Sequence, residues 1–135
     1  MIFGADVYHS GVNEIYMPSI AAVCASMDAG ATIYSGRYSV NKKPRNETIE
    51  ALDLMVIDLL KTFRAKNGRL PVRILFYRDG VSEGQFRKVM EEEVDMMRKA
   101  FKGGYGDNPP KLTFIIVQKR HHTRYIFYTI TCFYF

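Results

Sequence analysis

An α/β domain with a five-stranded sheet and two flanking helices is the fold class this sequence predicts. Strand-length apolar runs alternate with two stretches of helical periodicity in the order β-β-β-α-β-α-β. Two of those runs end near a lone aspartate, Asp6 and Asp79, as when a strand of an α/β sheet delivers a carboxylate to a cleft. With 135 residues, 47% hydrophobic and 24% charged, the chain has apolar mass for one core and length for one domain at most.

Each element has its own signature. Residues 2–8, 20–26 and 32–40 are apolar or β-branched runs separated by turn-rich or charged segments, and read as three neighbouring strands. From residue 47 to 66 the spacing becomes helical, with Ile49, Leu52, Met55, Val56, Leu59, Leu60 and Phe63 on one face. Asn46 is the expected cap of that helix, and Asn67-Gly68 its stop. Residues 73–77 form the fourth strand. Ser82 opens the second helix, with Gln85 at capping-box spacing and Phe86, Val89, Met90, Val94, Met97 and Phe101 as its core face. Residues 103–110, rich in Gly and Pro, are expected to be a loop, and 112–117 the fifth strand.

Composition narrows the function classes. A net charge of +5 favours an anionic partner, though ordinary soluble domains also reach it. Cys24 and Cys132 lie far apart and form no metal-site or disulfide spacing. The start lacks a signal-peptide pattern, and no apolar run approaches the roughly 18 residues that span a bilayer. A reducing compartment, cytoplasmic or nuclear, is expected.

The chemistry rests first on the two aspartates. If their strands lie side by side, the carboxylates meet; like charges so close persist in ionised form with a cation between them. Mg²⁺ suits that demand, because it takes oxygen ligands, keeps waters and is usually held by one or two carboxylates together with substrate phosphates. The plainer alternatives are a strand-end Asp6 that accepts turn hydrogen bonds and an Asp79 that belongs to an Asp-Gly turn.

Four blocks, Gly4-Ala-Asp-Val7, Pro18-Ser-Ile-Ala-Ala-Val23, Tyr77-Arg-Asp-Gly-Val-Ser-Glu-Gly-Gln-Phe86 and Val117-Gln-Lys-Arg-His-His-Thr-Arg124, together resemble the Piwi domain of eukaryotic, Ago-like Argonaute proteins in order and spacing. The resemblance covers residues 1–124 and implies an RNase H-like fold: a mixed five-stranded sheet with flanking helices, incomplete at its C-terminus. It implies RNA-guided RNA binding and endoribonuclease chemistry with Mg²⁺ or Mn²⁺, in gene silencing. The partners implied are a small guide RNA, a complementary target RNA and silencing effector proteins.

Asp6 and Asp79 match two aspartates of the family's catalytic tetrad, which hold metal, and Glu47 matches its glutamate. Glu50, one helical turn away, is the competing acid in that block, and a first-turn acid that complements the helix dipole is the plainer alternative for Glu47. The fourth tetrad member would lie beyond Arg124, so the isolated chain is expected to be inactive. His9, His121 and His122 match positions outside the tetrad. The resemblance places Lys119, Arg120, His122 and Arg124 near the guide backbone, where basic side chains suit phosphate contacts; a solvated strand end is the alternative.

Residues 125–135 leave the family pattern as an apolar, aromatic tail. A truncated product or an incomplete gene model is the expected explanation. The function classes left open are a part of a guided endoribonuclease, a nucleic-acid or effector-binding module without cleavage, and a non-functional piece.

Overall fold

The computed structural model describes residues 1–11, 17–43 and 46–118. In chain order the elements are β1 (Ile2–Tyr8), β2 (Ser19–Ser26), β3 (Tyr34–Asn41), α1 (Leu52–Asn67), β4 (Arg73–Asp79), a 3₁₀ turn (Glu83–Gln85), α2 (Phe86–Tyr105) and β5 (Lys111–Val117). The sheet runs β3-β2-β1-β4-β5. β1, β2 and β3 pair antiparallel in sequence, whereas β4 pairs parallel with β1 and with β5. Parallel neighbours need crossovers, and α1 and α2 supply them.

Both helices pack on one face of the sheet. Phe3 and Val7 of β1, Ala21 and Val23 of β2, and Ile74 and Phe76 of β4 meet Leu52, Val56, Leu59, Met97 and Phe101 in one core. The register sets Phe3, Phe76 and Phe114 side by side across β1, β4 and β5, with stacked rings at 5.9 Å and 4.9 Å. Such contacts add to area burial where three strands must hold one register. Tyr105 closes the core's end, donating its hydroxyl to the Pro71 carbonyl at 2.8 Å, and burial pushes its pKa up to about 12.

The expected elements are present, with boundary corrections that have physical causes. β3 starts at Tyr34 rather than at residue 32, because the Asp28 carboxylate takes the amides of Thr32 and Ile33 at 2.9 Å each and folds them into a turn. The Ile33 amide is the leading reason that this carboxyl sits below the usual range.

α1 starts at Leu52, not at residue 47, and Asn46 does not cap it. The backbone ahead of α1 is claimed by other elements: Asn41 Nδ2 donates to the carbonyls of Asn46 and Thr48, and the Ile49 amide goes to Glu93. Its stop is as expected: Gly68, at φ +69°, returns its amide to the Arg64 carbonyl at 2.8 Å. The Ser82/Gln85 capping box does not form, and a 3₁₀ turn without a side-chain cap stands in its place.

On α2, Met90 is exposed, and Glu93, absent from the expected face, is buried. The expected loop begins only after Tyr105, because α2 runs through Gly103 and Gly104.

Candidate active site

Alternation along two neighbouring strands builds the site. Ala5 pairs with Arg78 across the parallel β1–β4 contact, and both point into the helix-covered side. The next residues, Asp6 and Asp79, therefore turn to the face that no described helix covers, at the carboxyl ends of their strands. They line one cleft of about 420 Å³ together with Gly4, Ala22, Cys24 and Tyr77. Carboxyl ends of parallel strands are where open α/β sheets hold ligands.

Backbone amides fix both carboxylates. Val7 N donates to Asp6 Oδ1 and Gly80 N to Asp79 Oδ1, each at 2.8 Å. Gly80 sits at φ +83°, and a Cβ there would lie 2.7 Å from Asp6 Oδ1, so the turn after β4 requires glycine for both conformation and space.

Glu47 stands elsewhere. Its Oε1 lies 3.1 Å from His9 Nε2, an ion pair when the ring is protonated, although the angle is too poor for a hydrogen bond. His9 Nδ1 meets Ser19 Oγ at 2.7 Å. Among the described residues no three His, Cys, Asp or Glu side chains gather as a metal-ligand set. The structure thus brings Asp6 and Asp79 to one cleft and leaves Glu47 with His9. Glu50 is engaged by a loop: the Lys42 and Lys43 amides donate to its two oxygens at 2.9 and 3.1 Å and hold its carboxyl below the usual range.

Two residues that the sequence reading did not single out tie these parts together. Arg78 and Glu93 form a fully buried ion pair, with Arg78 Nε 3.1 and 3.2 Å from the two carboxylate oxygens. The two other guanidinium nitrogens donate to the backbone carbonyls of Asp79 and Glu47. One planar group thereby joins the main chains of two candidate site residues. Burial pushes the Glu93 carboxyl up, against the pull of Arg78 and of the Ile49 amide. An arginine at the next-to-last place of an apolar strand was the available sequence signal, since alternation points it into the core, where it needs a carboxylate.

The donor set suits a hard cation, because two carboxylates on one cleft match the protein share of a Mg²⁺ site that takes its other ligands from water and phosphate. Lys119, Arg120, His122 and Arg124 lie outside the described residues. Among the described residues, no helix is long and apolar enough to cross a membrane.

The Piwi domain family model matches residues 1–130. Protein argonaute 18 of Oryza sativa subsp. japonica is 45% identical over 124 residues, covering 92% of this chain and 11% of its own length. Protein argonaute 10 of Arabidopsis thaliana is 46% identical over 138 residues, covering 92% and 14%. The chain therefore spans 11% and 14% of these relatives. Among solved structures, Kluyveromyces polysporus Argonaute with a guide RNA superposes with a TM-score of 0.79 at 32% identity, over 89% of this chain and 14% of that one. The C-terminal lobe of a budding yeast Argonaute gives 0.78 at 31% identity, over 90% and 24%. The mixed sheet with its flanking helices matches the RNase H-like architecture of these structures.

Proposed function

The chain belongs to the Piwi domain family of the argonautes, and from that membership we propose that it binds RNA and carries acids for Mg²⁺- or Mn²⁺-dependent RNA cleavage within a longer guided endoribonuclease. The observation that carries this reading is the convergence of Asp6 and Asp79 on one cleft at the carboxyl ends of adjacent parallel strands.

In this reading Asp6 and Asp79 hold the metal, and the amides of Val7 and Gly80 keep their carboxylates aimed. A bound divalent ion would supply charge stabilisation at a phosphate and an activated water. Arg78 keeps the Asp79 backbone rigid through its buried pair with Glu93. Glu47 is the third acid; engagement of both Glu50 oxygens by the loop supports it over its neighbour.

Residues 1–124 form the Piwi part, and Lys119, Arg120, His122 and Arg124 hold phosphates of a guide RNA paired to its target. Silencing in the cytoplasm or nucleus, with effector proteins, is the role of the complete protein. The guide RNA that accompanies the K. polysporus Argonaute in its crystal structure supports the RNA partner. RNA binding without cleavage is the second reading, favoured by the position of Glu47 at His9 rather than beside the aspartates.

Titration with Mn²⁺, followed by its electron-spin resonance signal, tests the proposal. The protein is expected to bind the ion and Asp79→Asn to lose binding by about a hundredfold or more, since loss of a direct ligand costs at least as much as the roughly 10–100-fold typical of an outer-shell partner. Equal binding by the two would overturn the assignment of Asp79.

A further inference from the structure

The segment just ahead of α1 has the apolar spacing of a helix, yet side chains from elsewhere hold it out of one. Two consecutive residues of α2 do much of this. Thr48 Oγ1 donates to Glu92 Oε2 at 2.7 Å, and the Ile49 amide donates to Glu93 Oε1 at 3.1 Å. From the other side, Asn41 Nδ2 donates to the Thr48 carbonyl at 2.9 Å, and Asn41 Oδ1 accepts the Glu50 amide at 3.3 Å.

Thr48 is the residue next to Glu47 and is 3% exposed, whereas Glu92 is exposed on the helix surface. Glu92 needs no partner for its own sake, because water would serve it. The bond instead anchors the buried hydroxyl and, with it, the backbone that orients the preceding side chain. Without that anchor the segment keeps its ties to Asn41, Arg78 and Glu93 but loses the one that fixes Thr48 from the α2 side, so its backbone shifts toward its helical spacing and turns the neighbouring Glu47 side chain away from its present place at His9.

We propose that Thr48 and Glu92 are positioning residues, a latch by which α2 sets where the Glu47 carboxylate stands relative to the Asp6–Asp79 cleft. This inference rests on the reading of Asp6 and Asp79 as the metal site, with Glu47 as the third acid acting on it from outside the pair. It reaches beyond that reading by placing control of the third acid on the opposite, helical side of the sheet.

The test uses the full chain and Mn²⁺ alone, with melting curves and amide exchange of residues 48–50 recorded on the same samples. Thr48→Val keeps the shape and removes the hydroxyl; Glu92→Ala cuts the same bond from an exposed helix position that tolerates alanine. Both are expected to weaken Mn²⁺ binding about tenfold and to speed exchange, at near-unchanged melting temperature, whereas Thr48→Ser restores both. Glu91→Gln, at an exposed position whose carboxylate pairs with the exposed Arg87, is the control. Wild-type Mn²⁺ affinity in Glu92→Ala would overturn the latch while leaving the metal site intact. Failure of serine to restore binding would also overturn it, assigning the effect to packing. Absence of Mn²⁺ binding by the unaltered protein would sink the metal reading and the latch with it.

Discussion

The helix-covered face of the sheet and the opposite face, bare of helices among the described residues, are built from the same strands and obey different rules. On the covered face even a full positive charge is enclosed: Arg78 is 0% exposed and so is its partner Glu93. On the bare face Tyr8 is 67% and Tyr38 79% exposed, and the small residues Gly4, Ala22 and Cys24 leave space instead of filling it. Neighbours in sequence fall on opposite sides of this divide, as Arg78 and Asp79 do. One side thus provides rigidity and the other access, with the thickness of a single strand between them.

That division can be broken most visibly at its buried charge. Arg78→Met leaves Glu93 enclosed without a counter-ion and is expected to cost about 3–5 kcal/mol in urea unfolding, whereas Arg78→Met with Glu93→Leu recovers most of it. A loss below about 1 kcal/mol would mean that water reaches the pair and that the covered face is not sealed.

Gly80→Ala acts at the boundary between the faces. Left-handed strain costs about 1–2 kcal/mol. The added methyl also displaces the Asp6 carboxylate, so Mn²⁺ affinity is expected to fall further than stability does. Equal falls in both would make Gly80 a matter of turn conformation alone.

Tyr38→Ser, in the middle of the bare face, is expected to shift stability by no more than about 0.5 kcal/mol, as for other surface sites. A shift beyond about 2 kcal/mol in the isolated chain would show that this face is packed in solution and would erase the contrast.

Periodicity alone located all five strands and both helices, because burial on a single face leaves a strong alternating or helical pattern in residues such as Phe3, Val23, Leu59 and Phe76. It failed where tertiary partners outcompete local preference. The helical spacing around Ile49 is overridden by Asn41, Arg78 and Glu93, which capture backbone groups that a helix would need. Ser82 and Gln85 have the residue types of a capping box without its bonds. In the site, Asp6 and Asp79 were legible as strand-end carboxylates. The buried Arg78–Glu93 pair was half legible: alternation along β4 points Arg78 into the core, but nothing in the local sequence marks Glu93 on α2 as its partner.

The pairing of Ala5 with Arg78 has a further consequence. Whether Asp6 meets solvent or core is decided by parity along β1: even positions from Gly4 to Tyr8 look one way, and odd positions from Phe3 to Val7 the other. A single-residue insertion ahead of Asp6 within β1 would preserve every side chain and still exchange the two sets, driving a carboxylate among the phenylalanines and presenting alanine and valine to the cleft. The spacing of β1 therefore tolerates substitution more readily than change in length, and the chemistry of this domain is as sensitive to counting as to composition.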